Sequence, residues 1–298
     1  MEKYIKSPLN YTGGKYKLLG QILPLFPEKI NTFVDLFAGG CNVAINTKSN
    51  KKICNDVESH VMSLMEYFKN ADGKNVIDDV TRVISKYGLS DTTSNGYEFY
   101  GCNSSQGVGG YNKDKYLRLR DDYNADTSND IYFFTTVIFS FSNQIRFNSD
   151  GKFNMPVNKR DFNANVKKNT INFVDSLDDS FEFQSKDFRQ FDFSLLDGDD
   201  LVYCDPPYLI TTASYNENGG WTETDDIDLM KLLDSLNERG IKFAMSNVLA
   251  HKGKTNDGLI EWSKKYNVHK INANYGNSNY HAKDKSKNNT VEVLITNY

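Results

Sequence analysis

The sequence predicts an α/β fold with a mostly parallel sheet, split by one inserted lobe. Three observations carry this. Seven short apolar runs read as strands, at residues 32–36, 51–54, 181–184, 201–204, 242–246, 267–271 and 291–296. Helical patterns lie between several of them, and that alternation winds a chain into a parallel sheet. The rhythm then breaks between about residues 71 and 170, where a Gly/Asn/Ser-rich stretch at 95–112, an apolar run at 131–141 and an Asn-rich loop follow one another. No internal repeat is visible and no linker is long enough to separate this segment. Residues 71–170 therefore read as a lobe inserted between 1–70 and 171–298 of one core.

Along the chain, Gly13-Gly14-Lys15 has the look of a phosphate loop. Tyr16 stands where a Ser or Thr would hold magnesium, and no apolar strand precedes it, which argues against ATP. The strand at 32–36 runs into Gly39-Gly40 before a helix-like stretch at 42–47. Glycine lets backbone approach a ligand closely, and Asp56, just past the second strand, lies at the spacing where a carboxylate accepts from ribose hydroxyls. The string Ala38-Gly39-Gly40-Cys41-Asn42-Val43 lacks G-x-G-x-x-G, so NAD is the weaker reading, and a plain strand-to-helix turn stays open. The clearest helix is 225–238, with Ile227, Leu229, Met230, Leu233 and Leu236 as its core face and Gly240 as its stop signal.

Composition narrows the class. A chain of 298 residues can bury a substantial core. A mean hydropathy of −0.59 and no long apolar segment argue against a membrane span. Residues 1–9 are too short and polar for a secretory signal. The four cysteines show no C-x-x-C spacing and the four histidines no ligand cluster, which predicts a reducing, cytoplasmic setting and no structural metal. A net charge of −4 weighs against nucleic acid as a partner, but Lys113, Lys115, Arg118, Arg120, Arg146, Lys152, Lys159 and Arg160 gather in the middle of the chain. A local basic face and an ordinary solvated surface both remain open.

The most informative string is Asp205-Pro206-Pro207-Tyr208, directly after the apolar 201–204. Two prolines fix φ and remove N–H donors, so a stiff turn leaves the strand with its carbonyls free. An exocyclic amine has its lone pair partly tied up in its ring, and acceptors on its hydrogens help to turn that pair outward. Asp205 and the Pro206 carbonyl suit that task, and Tyr208 offers a flat face for an extruded base.

With this loop, the glycine turn, Asn55-Asp56, the opening Ser7-Pro8-Leu9-Asn10-Tyr11-Thr12-Gly13-Gly14-Lys15, Asp187-Phe188, Arg146-Phe147-Asn148, Phe153-Asn154-Met155-Pro156 and the ending 291–298 in one order, the chain resembles the Dam-like (D12 class) N6-adenine DNA methyltransferases over nearly its whole length. The resemblance implies a Rossmann-like fold dependent on S-adenosylmethionine, with an inserted, mainly helical lobe that recognises DNA. It implies Asp205, Pro206, Pro207 and Tyr208 as the catalytic loop. For the cofactor it implies Asp35, Phe37, Gly39 and Gly40 at the turn, Asp56 on the ribose, and Asp187 and Phe188 on the adenine. Tyr11 then lies near the sulfonium, Lys15 makes a polar contact at the methionine end, and Asp205 borders the same site.

For DNA the resemblance implies Asn10, Arg120, Ser142, Gln144, Arg146, Asn148, Asn154, Lys159 and Arg160. Arg146 stands where GATC-methylating relatives contact a guanine, a pairing suited to O6 and N7. Lys159 and Arg160 fit phosphate. The family's Phe-Asn-Gly-Leu is here Phe141-Ser142-Asn143-Gln144, and its lysine before Tyr11 is Asn10, so the target is GATC or a related site. Whether a partner restriction endonuclease is encoded nearby stays open, and 210–221 suggests a lid that orders on DNA. Two other classes stay open. One is a methyltransferase of the same fold acting on an amine in RNA or protein, which the 116–156 segment disfavours. The other is a non-catalytic DNA-binding module, which Asp205 and the complete cofactor turn disfavour.

Overall fold

A computed structural model describes residues 4–11, 13–211, 220–272 and 290–298. The chain forms two compact units. One contains residues 1–14, 39–45 and 58–183, and the other 15–38, 46–57 and 184–298. Strands are β1 (Thr32–Asp35), β2 (Lys51–Asn55), β3 (Phe181–Gln184), β4 (Leu201–Cys204), β5 (Lys242–His251), β6 (Lys254–Thr255), β7 (Asn267–Ile271) and β8 (Val291–Thr296).

The second unit holds a sheet ordered β2-β1-β4-β5-β8-β7, with β6 on β5. Strands β2, β1, β4 and β5 run parallel, and β8 is antiparallel to both neighbours. Every residue of β4 is buried, the pattern of a strand covered on both faces. Val34, Val202, Phe243, Met245 and Ile295 form the core with Leu229, Leu233 and Leu236 of one helix. Register pairs Asp35 with Cys54 and Tyr203, and Cys204 with Met245, so β1, β2 and β4 end nearly level while β5 runs on to His251. In such sheets, ligands bind beyond the carboxyl ends of the strands.

The helix expected at 225–238 runs from Glu223 to Glu238, started by a capping box between Thr222 and Asp225. Its inner face differs from expectation at one place. Ile227 is exposed and Asp226 is buried instead, because Asp226 accepts from Trp221 Nε1 at 2.5 Å and Asn256 Nδ2 at 2.6 Å. A buried carboxylate with two donors is tolerated. The helix-like stretch at 42–47 is only the single turn Ala44–Asn46. The lid expectation at 210–221 falls largely outside the described residues.

The first unit carries α-helices Ser59–Lys69, Gly73–Tyr87, Thr92–Asn95, Gly109–Ala125, Asp130–Phe139 and Ala164–Val174. Side chains of Asp72, Asn129 and Asn163 cap three of them. Phe68 meets Phe134 at 5.1 Å and Phe173 at 6.4 Å between ring centroids, an edge-to-face core. After Phe139 the chain turns through Ser142 and Asn143, both at left-handed φ, then folds back as a hairpin. In it Phe147 bridges Phe153, and Asn148 Oδ1 accepts from Lys152 N. Gly107, at φ +72°, lies where a Cβ would collide with the Lys159 carbonyl oxygen. Only glycine permits that approach, which the Val108 N–H to Lys159 O bond of 2.9 Å completes.

Candidate active site

At the end of β4 the chain leaves the sheet through Asp205. Lys15 Nζ lies 2.7 Å from both Asp205 oxygens, and the Tyr208 hydroxyl donates to Oδ1 at 3.0 Å. The Lys15 side chain is 4% exposed and that of Asp205 16%. Burial pushes the Asp205 pKa above the ordinary carboxylate range, and Lys15 and Tyr208 oppose the rise. The same ammonium stands 5.0 Å from the Tyr208 ring centroid and 4.0 Å from Glu292 Oε1. Tyr208 OH is 3.5 Å from that glutamate oxygen. Four side chains from both ends of the sequence thus meet at one strand end. Pro206 beside them is buried and Pro207 half-buried. Glu292 was not legible as a site residue, because a lone acid in the alternating V-E-V reads as an outward-facing strand position.

Along the ends of β1 and β2 lie the groups expected to face a nucleotide. Asp35 and Asp56 are both buried. Asn55 fixes this edge, donating to the carbonyls of Leu36 at 3.1 Å and Lys186 at 3.0 Å and accepting from Lys186 N–H at 3.1 Å. Asp56 N–H donates to Gln184 O. Phe37 and Phe188 stand 5.6 Å apart, and Trp221 completes a trio at 5.7 Å from Phe37 and 5.6 Å from Phe188. Asp187 caps the turn Phe188–Gln190, and Arg189 pairs with it at 3.3 Å while stacking 4.3 Å from the Phe188 centroid. From sequence Asn55 stood out only within the Asn55-Asp56 motif, and Trp221 was given no role at the cofactor. Buried acids at two strand ends can accept from ribose hydroxyls, and an aromatic trio with Phe188 buried and Phe37 and Trp221 half-buried suits a flat base, so these residues fit S-adenosylmethionine.

Within the first unit, Tyr11 lies so close to Gly39 that a Cβ there would meet the ring at 2.7 Å, and Gly39 has φ +46°. Gly40 abuts Ser7, and Ser7 N–H donates to Asn42 Oδ1 at 3.0 Å. The opening motif and the glycine turn, far apart in sequence, therefore pack directly on each other.

The residues expected to face DNA belong to the first unit too. Asn10 Nδ2 donates to the Ser142 carbonyl at 2.8 Å, joining two of the altered positions. Gln144 follows them, half-buried. Arg146 Nε donates to Asn154 Oδ1 at 2.7 Å and Nη2 to Asn154 O at 3.3 Å, so Asn154 orients the arginine. Asn148 is engaged by the backbone of its own turn. Lys159 and Arg160 are exposed. Arg120 lies elsewhere, half-buried on helix Gly109–Ala125 and paired with Asp121 at 3.2 Å.

The sequence profile described as D12 class N6 adenine-specific DNA methyltransferase matches residues 11–277. The chain belongs to this family. Type II methyltransferase M.FokI of Planomicrobium okeanokoites is 43% identical over 302 residues, which cover 99% of this chain. Modification methylase StsI of Streptococcus sanguinis is 42% identical over 307 residues and 100% of this chain. The chain spans 43% of the length of each of these two relatives. DNA adenine methylase of Escherichia coli K12 is 24% identical over 277 residues, covering 88% of this chain and 86% of its own length. Like the family it belongs to, the chain has the mixed α/β fold expected from sequence. Among the described residues no helix is long and apolar enough to cross a membrane, and no three His, Cys, Asp or Glu side chains cluster as metal ligands.

Proposed function

We propose that this chain transfers a methyl group from S-adenosylmethionine to N6 of an adenine extruded from duplex DNA, at GATC or a related site containing a guanine. The observation that carries the reading is Asp205, held at the end of β4 by Lys15 and Tyr208 inside a chain of the D12 family. When bound, S-adenosylmethionine supplies a methyl group activated by a sulfonium. Asp56 would accept from its ribose hydroxyls, and Phe37 and Phe188 would flank its adenine.

Asp205 and the Pro206 carbonyl accept from the hydrogens of the target N6. That turns the nitrogen lone pair outward for substitution at an activated methyl, in which the N–C bond would form as the sulfonium's S–C bond breaks to a neutral thioether and the surplus N6 proton would pass to solvent. Extruding the base costs a few kcal/mol, offset by stacking on Tyr208 and by these hydrogen bonds. Arg146, oriented by Asn154, reads a guanine, while Lys159 and Arg160 contact phosphate. The recognition lobe at 71–170 falls within the first unit. The names of the type II relatives extend the reading to a restriction endonuclease that cuts the site this chain protects.

Modified-base sequencing of DNA incubated with the chain and S-adenosylmethionine tests the reading, because it reports base, atom and context together. N6-methyladenine at a fixed context is the expected result. Methylation of RNA or protein amines with none in DNA would replace it.

A further inference from the structure

On the reading above, Asp205 has to receive the hydrogens of an adenine amine, yet its charge is already engaged. The Lys15 ammonium bridges both carboxylate oxygens at 2.7 Å, and Tyr208 donates to one of them. A carboxylate in this state is a weakened acceptor, because the ammonium cancels the charge that would draw the amine. Moving the ammonium off Asp205 breaks a pair in which its side chain is 4% exposed, a strongly unfavourable step unless another carboxylate takes the charge up.

A second carboxylate stands within reach. Glu292, on β8, has a 2% exposed side chain, with Oε1 4.0 Å from Lys15 Nζ and 3.5 Å from the Tyr208 hydroxyl. A flexible lysine stem covers the difference between 2.7 and 4.0 Å by rotating its last bonds. We propose that Glu292 is a second seat for Lys15, so that the ammonium passes from Asp205 to Glu292 as the target amine binds. Both seats are carboxylates, so the exchange moves one charge by about an ångström and leaves the site's total unchanged. The Tyr208 hydroxyl lies between the two carboxylates and stays within range of each. Glu292 acts through Lys15 and is a positioning residue. No bond to carbon is made or broken in the exchange.

The inference rests on the proposed function, and its test separates the two. The probes are duplexes carrying either adenine or purine, which lacks the amine, at the position that modified-base sequencing assigns. Binding is measured with S-adenosylhomocysteine present, so turnover is not needed. The wild-type chain is expected to prefer adenine by about tenfold in Kd, the worth of one hydrogen bond to a charged acceptor. Glu292→Gln should abolish that preference and lower kcat about tenfold while leaving KM for S-adenosylmethionine unchanged, and Glu292→Asp should restore part of both. In a Lys15→Met background Asp205 is no longer covered, so adding Glu292→Gln should change nothing further. This pair also serves if Glu292→Gln alone does not fold, because the comparison is then between two variants that both lack the ammonium. A Glu292→Gln enzyme with wild-type preference and kcat, or a double variant clearly worse than Lys15→Met, overturns the exchange. A wild-type chain that methylates no DNA overturns the functional reading itself.

Discussion

Replacing Asp205 by Asn removes one charge and keeps the volume, which separates its chemical role from its structural one. Its carboxylate accepts from Lys15 and Tyr208, so the change also touches the fold. Breaking a buried ion pair costs about 3–5 kcal/mol when the remaining charge is stranded. Here the ammonium keeps Glu292 at 4.0 Å, where unit charges attract by about 4 kcal/mol at an effective dielectric near 20. The expected loss is therefore nearer that of a single charged hydrogen bond, about 1.5–3 kcal/mol, or a fall in melting temperature of roughly 3–10 °C. Catalysis should fall much further, by about 10²–10³-fold in kcat, because an oriented charged acceptor acts in the transition state. Transfer of tritiated methyl to DNA, measured beside a thermal melt, reads both quantities. A folded Asp205→Asn protein with turnover within tenfold of wild type would refute the reasoning.

The pH dependence follows from the same carboxylate. Burial, the largest influence, raises its pKa and Lys15 lowers it, so activity should be lost as pH falls through a value above the ordinary carboxylate range. Lys15→Met should move that acid limb upward in a kcat–pH profile, and a downward move would contradict the assignment. S-adenosylmethionine or its demethylated product at 100 times Kd should stabilise the fold by about 2.7 kcal/mol, whereas NAD and ATP should not, and Asp56→Ala should remove most of the shift in a thermal melt. Arg146→Ala should cost about 1–3 kcal/mol on the cognate site and relax discrimination at one base pair across a library of single-base variants. Asn154→Ala should give a weaker form of the same profile, since it frees the arginine. By contrast, Lys159→Ala should weaken all sites alike and flatten the salt dependence of binding, which a salt titration of Kd would show.

Much of the sheet was legible because its strands are apolar runs buried on both faces, as at 201–204 and 291–296. Strand β5 was read as ending at Ser246 but continues to His251, because Asn247 pairs with Val293 of β8 and a polar residue inside a strand carries no local signal. The helix at 225–238 was legible from its period, but Asp226 inside and Ile227 outside depend on Trp221 and Asn256, donors that the helix's own sequence does not reveal. Asp205, Tyr208 and Lys15 were singled out from their motifs. Their mutual contact was not, and neither was Glu292, since a charge pair between the two ends of a chain leaves no mark on spacing. Asn154 had been placed against DNA, and its bonds to Arg146 emerge only once the hairpin is folded.

The position of β8 also bears on when this protein becomes functional during its synthesis. Although it follows β7 in sequence, β8 is an interior strand, hydrogen-bonded to β5 on one side and β7 on the other. Strand β7 leaves the ribosome first, but its ladder partner is β8, so it must wait for residues 291–296 before it can join the sheet. The same strand delivers Glu292 to Lys15, which is made long before it. At about 5–20 residues per second, synthesis of the stretch between them leaves the ammonium without part of its final surroundings for on the order of tens of seconds. A product truncated before β8 would lack both an interior strand and a wall of the catalytic cluster. Premature termination should then yield material that cells degrade, not a methyltransferase with relaxed control.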